Sequence, residues 1–199
     1  MPWGIAFGPT SPFWIADDGA GLSTLYNANG SQVPLTVTIP PPAEGKSPSA
    51  PTGMVFNSRP KDFIVTAGGV SSPALFLFAT EDGTISGWNP SVNPHRAVRV
   101  VDNSRLGSVY KGLAIALTGQ GWLLYATNFH DETVEVYDTN FQLVNVFSDI
   151  ARPAGYAPFG IRNFKGKLYV TFAVQDQDKT TMLQVPATVW SRSSVRQAS

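Results

Sequence analysis

Four times along the 199-residue chain, a short apolar stretch runs into acidic or amide residues. These are Asp17-Asp18-Gly19, Glu81-Asp82-Gly83, Asn128-Phe129-His130-Asp131 and Gln175-Asp176. Carboxylate and amide oxygens are hard donors, suited to Ca²⁺ or to a polar ligand. The same residues are also good hairpin-turn formers with no function at all. The candidate ligand-binding set is Asp17, Asp18, Glu81, Asp82, Asn128, His130 and Asp131. His130 beside Asp131 has the ingredients of a carboxylate-oriented general base, but no partner nucleophile accompanies it. The second histidine, His95, lies in the loop SVNPHRA. Two histidines in different repeats without HExxH spacing do not make a zinc site. No catalytic residue is assigned: GxSxG, SxxK and P-loop patterns are absent from the sequence. The chain contains no cysteine, which excludes thiolate ligands, cysteine nucleophiles and disulfides. Trp88 and Trp122 are candidate exposed stacking platforms, although aromatics at strand spacing usually build a core.

The elements that position these residues are strands. Apolar stretches are mostly 4–8 residues long, β-branched or aromatic, and bounded by Gly, Pro, Asn or Asp. No window holds helical apolar spacing with caps. A Gly followed by an aliphatic residue recurs as Trp3-Gly4-Ile5, Thr52-Gly53-Met54, Lys111-Gly112-Leu113 and Phe159-Gly160-Ile161. The glycines stand 49, 59 and 48 residues apart. A second strand follows each motif: Phe13–Ala16, Phe63–Thr66, Leu124–Thr127 and Leu168–Thr171. Third and fourth strands complete the unit, as in Thr133–Tyr137 and Leu143–Phe147. Four short antiparallel strands at a period of about 40–50 residues make one β-propeller blade. The expected fold class is therefore all-β, a partial β-propeller of about three and a half four-stranded blades. Blade two is irregular, and its longer spacing predicts an extra strand or a wide loop. The Pro-rich run from Ile39 to Pro51 reads as a surface crossing loop.

Composition narrows the function classes. Lys+Arg and Asp+Glu both number 14, so the net charge is zero, which disfavours nucleic acid or an anionic membrane as partner. No apolar run reaches a membrane span, and MPWGIAFGPT lacks the layout of a signal peptide.

Several strings go further than the period does. PFWIADDGAGLSTLYNANG, LFLFATEDGTISGWNP, LYATNFHDETVEVYD and AGYAPFGIRNFKGKLYVTFAVQD resemble an uncharacterised family of secreted bacterial proteins. These are six-bladed propellers of NHL-repeat-like architecture. The resemblance covers residues 2–179 and implies a longer, exported protein, extracellular or periplasmic. It divides the chain into an incomplete propeller domain, 1–179, and an aberrant tail, 180–199, with a frameshift near codon 180 as the expected cause. Three functions follow as expectations. The first is a non-catalytic extracytoplasmic propeller that binds or scaffolds a small molecule, glycan or protein. The second is a metal-assisted hydrolase or lactonase using Asp18, Glu81, Asn128 and Asp131 at the channel mouth. The third is a non-functional gene fragment that self-associates through an open blade edge. No cofactor is predicted, although the carboxylates would suit Ca²⁺.

Overall fold

The computed structural model describes residues 1–183 and the backbone of a strand at 190–193. Four antiparallel sheets follow one another along the chain. The first is β1 (Pro2–Ala6), β2 (Phe13–Asp17), β3 (Leu22–Tyr26) and β4 (Gln32–Thr38), paired in that order. The second begins with β5 (Pro51–Phe56) and is interrupted by a separate hairpin, β6 (Ile64–Ala67) and β7 (Val70–Pro73). It continues with β8 (Phe76–Thr80), β9 (Thr84–Trp88) and β10 (Val98–Asp102), in the order β5-β8-β9-β10. The third is β11 (Tyr110–Thr118), β12 (Gly121–Asn128), β13 (Thr133–Tyr137) and β14 (Leu143–Phe147). The fourth holds β15 (Tyr156–Phe164), β16 (Lys167–Val174) and β17 (Trp190–Ser193). β17 thus supplies a third strand from the 180–199 tail; the rest of that tail beyond Leu183 lies outside the described residues.

Period-two patterning explains why these sheets stack as blades. In β8, Phe76 and Phe78 turn toward blade one, where they pack with Trp14, Leu25 and Val37. Leu77 and Ala79 turn the other way, into a layer shared with Leu113, Leu124 and Tyr137 of blade three. In β12, Leu124 and Ala126 face blade two, while Leu123 and Tyr125 pack with Ile161, Leu168 and Phe172 of blade four. Strands buried on both faces read as continuous apolar runs, and β8 and β9 are buried throughout.

The recurring glycine sits where successive inner strands touch. A Cβ on Gly4 would lie 2.2 Å from the Thr52 carbonyl oxygen. One on Gly53 would lie 2.6 Å from backbone atoms of Gly112 and Leu113, and one on Gly112 would lie 2.8 Å from the backbone of Ile161. The glycine therefore answers contact between blades, main chain against main chain. Threonine hydroxyls reinforce the joint: Thr52 Oγ1 donates to the Tyr110 carbonyl at 2.6 Å, and Thr127 Oγ1 to the Phe159 carbonyl at 2.6 Å. On the fourth inner strand, Gly160 meets, among the described residues, Thr171 of its own blade.

The second strand of blade two departs from the sequence reading. Phe63–Thr66 has the right spacing after Gly53, but it belongs to the inserted β6–β7 hairpin, and β8 is the blade strand. Burial decides between them. β6 is covered on one side only, whereas β8 is flanked by β5 and β9 and covered on both faces. The hairpin packs Val65 and Ala74 against Gly87, and Phe63 against Phe141 of blade three.

Candidate functional site

The loops after the second strands bond to the segments that lead into the inner strands: the Glu81 amide donates to the Ala50 carbonyl, the Phe129 amide to the Val109 carbonyl and the Gln175 amide to the Gly155 carbonyl. Asp82 Oδ2 accepts the Ala50 amide at 2.7 Å, tying it to the crossing loop. Burial pushes the Asp82 carboxyl above its ordinary value, although this amide bond pulls the other way. Asp17 Oδ2 accepts from Thr24 Oγ1 at 2.8 Å within its own blade. Asp18 is engaged through its backbone, which pairs with Met1. Asn128 Nδ2 donates to Asp131 Oδ2 at 2.8 Å, and His130 Nδ1 lies 2.9 Å from Asp131 Oδ1. The structure thus joins Asn128, His130 and Asp131 in one cluster and ties Asp17 and Asp82 to separate local partners. Among the described residues, no group of three or more His, Asp or Glu side chains is placed to hold a metal ion.

Glu81 has a partner that the sequence reading missed. Its carboxylate pairs with the ammonium of Lys111, a side chain almost wholly buried on the third inner strand. Lys111 Nζ also donates to the Thr180 carbonyl at 2.8 Å. Three aromatic faces surround the ammonium: Trp3 at 5.2 Å, Phe129 at 5.3 Å and Phe159 at 5.9 Å. Cation–π attraction together with a carboxylate offsets the cost of burying this charge. The signal was present in the repeat: Trp3, Thr52, Lys111 and Phe159 hold the same position before the glycine, and only one of them is charged.

A second buried cluster lies beside it. Glu135, 6% exposed, accepts from Tyr110 Oη at 2.6 Å, from Tyr137 Oη and from Asn128 Nδ2 at 2.7 Å. Asn103 Nδ2 donates to both phenol oxygens, at 2.8 and 3.0 Å. Burial, then the nearby Glu135 carboxylate, drives the Tyr110 phenol far above its ordinary value of 10.0. Burial and the coupled Tyr110 and Glu135 groups do the same to Tyr137. A phenol whose folded value is raised contributes stability that is complete below its unfolded value and is lost as pH climbs above it. An alkaline titration followed by phenolate absorbance is therefore expected to show Tyr110 and Tyr137 ionising only as the chain unfolds. Tyr110→Phe should remove one late phenol. Reversible titration of all six tyrosines near their ordinary value in the folded chain would contradict this assignment.

The opposite ends of the inner strands line an open cavity of about 500 Å³. Ala6, Met54, Leu113 and Ile115 supply aliphatic wall, and Phe7, Phe56 and Trp122 supply aromatic wall. Trp122 is half-buried at its rim with the Arg59 guanidinium 4.6 Å above the ring. Trp88, by contrast, is a core residue and no platform: it is 4% exposed, packs 4.6 Å from Trp14 and donates from Nε1 to the Pro94 carbonyl.

No protein-family model matches the chain. It is 32% identical over 175 residues to uncharacterized protein R640 of Acanthamoeba polyphaga mimivirus, covering 85% of this chain and 32% of that protein. It is 32% identical over 184 residues to uncharacterized protein R648 of the same virus, covering 88% of this chain and 44% of that protein. The chain thus spans a third to a half of the length of the curated relatives it matches. Among solved structures it is similar to Kuenenia stuttgartiensis hydrazine synthase, with a TM-score of 0.56 and 13% identity over 96% of this chain and 49% of that one. It is also similar to the Neurospora crassa Pan2 WD40 domain, with a TM-score of 0.53 and 12% identity over 95% of this chain and 49% of that one. A third is regucalcin, a calcium-binding protein from Agrobacterium tumefaciens, with a TM-score of 0.52 and 14% identity over 87% of this chain and 53% of that one. The four radially ordered sheets and these likenesses together make the chain a β-propeller by fold.

Proposed function

We propose that the protein is a non-catalytic binding propeller whose ligand site is the cavity at the end of the inner strands. One observation carries this reading. The cavity has the size of a small-molecule site and mostly apolar walls, and among the described residues lining it there is no carboxylate, histidine or lysine to move a proton. The loop mouth at the other end supports the same reading, because three of its carboxylates are already engaged: Glu81 by Lys111, Asp82 by Ala50, and Asp131 by Asn128 and His130. A metal-assisted hydrolase would have to pull Glu81 from a buried ammonium before binding its ion, which leaves an uncompensated charge behind.

Two measurements test the reading on the 199-residue chain. A fragment screen by ligand-observed NMR is expected to return mutually competing binders that weaken in a Trp122→Ala variant. Assays of ester and lactone hydrolysis with Ca²⁺, Mn²⁺ or Zn²⁺ are expected to show no metal-dependent turnover. Turnover that depends on metal and on Glu81 would overturn the proposal in favour of the enzyme.

A further inference from the structure

We infer that this cavity selects a small organic anion, a carboxylate carried on a flat aromatic body. The inference rests on the binding reading above and names the ligand's chemistry. Arg162 lies near the end of β15 and lines the cavity. Its guanidinium reaches across to the first inner strand, where Nη2 donates to the Ile5 carbonyl over a long 3.4 Å. A guanidinium carries five N–H donors in a planar fork, so most of its capacity is left for a ligand. That fork matches a carboxylate in bidentate fashion.

The surroundings decide the sign. No carboxylate lines the cavity among the described residues. The other nearby cation, Arg59, does not line the cavity: it lies over the Trp122 ring, and the Asp62 carboxylate 3.6 Å from its Nε balances its charge without a hydrogen bond. The polar lining beyond Arg162 is neutral, from Ser58 and Asn163, and Asn163 Nδ2 is held by the Ile115 carbonyl at 2.9 Å. An anion placed beside Arg162 gains a charge-assisted contact, and a cation placed there meets repulsion. The body of the ligand meets Phe7, Phe56 and Trp122, rings whose faces and edges favour a flat aromatic partner.

Three isosteric probes test this: naphthoate, naphthalenemethanol and naphthylmethylammonium, each titrated into the chain by calorimetry and by NMR of the Met54 methyl and Trp122 indole. Naphthoate is expected to bind about tenfold or more tightly than the neutral alcohol, and the cation most weakly. Arg162→Gln should bring naphthoate down to the alcohol's affinity while leaving the alcohol unchanged. Arg162→Lys, which keeps the charge, should retain the order of preference and guards against a folding defect in the first variant. Equal affinity for acid and alcohol, or a preference that survives Arg162→Gln, would overturn the anion assignment and leave the binding site standing. Failure of all three probes to perturb Met54 or Trp122 at millimolar concentration would overturn both.

Discussion

Gly53→Ala is expected to destabilise the chain by about 3 kcal/mol or more. The added carbon would stand 2.6 Å from the Gly112 carbonyl carbon and the Leu113 nitrogen, and 2.7 Å from the Gly112 Cα. All three are backbone atoms of the neighbouring blade, so no side chain can rotate aside. The two inner strands must separate, and the Thr52–Tyr110 bond that joins them lengthens with them. Gly119→Ala is the matched control: its Cβ meets nothing within 4 Å, and its change should stay within about 0.5 kcal/mol. Urea denaturation of both variants checks the pair. Equal midpoints would refute the assignment of the repeated glycine to the joint between blades.

Glu135→Ala should cost about 3–5 kcal/mol. The carboxylate accepts from two phenols and an asparagine amide, all in a region closed to water. Its removal leaves these donors facing a cavity. Glu135→Gln should cost less, because it keeps the shape and one accepting oxygen. The informative variant is the triple replacement Glu135→Leu, Tyr110→Phe and Tyr137→Phe, which takes away the acceptor together with both phenol donors. It should recover part of the loss, since the two buried phenols no longer lack an acceptor; the Asn128 amide keeps Ser108 and Asp131, and the half-buried Asn103 amide turns to water. A triple variant as unstable as Glu135→Ala would show that packing, and not the hydrogen bonds, sets the cost.

The contrast between these two sites explains how much of the molecule was legible in its sequence. The glycine repeat could be read because a close approach of main chains admits only one residue type, so the constraint prints itself at every blade. The β6–β7 hairpin could not, because Phe63–Thr66 and Phe76–Thr80 carry the same strand composition and differ only in how many faces are covered. Asp17, Asp82 and Asp131 were visible as polar loop residues, but their partners were not. Ala50, for example, reaches Asp82 through its backbone amide, which has no letter in the sequence. Lys111 and Glu135 were passed over because each is a single charge inside an apolar strand, and their partners Glu81 and Tyr110 stand 30 and 25 residues away. Arg162 follows the Phe159-Gly160-Ile161 motif with nothing in its spacing to mark it, and its reach toward Ile5 depends on the curvature of the whole array.

The joint between blades has a consequence for how such a protein can change over generations. On the receiving side the fit is made of main chain: a bare glycine meets a neighbour's backbone, and a threonine hydroxyl meets a neighbour's carbonyl. Neither half of that joint depends on which side chains the adjoining repeat carries. A duplicated or transplanted repeat therefore arrives already able to dock, whatever its ancestry. Divergence can then proceed separately in each unit: the position before the glycine carries Trp3, Lys111 and Phe159 in three repeats, and in the other it carries Thr52, which adds a bond to the joint.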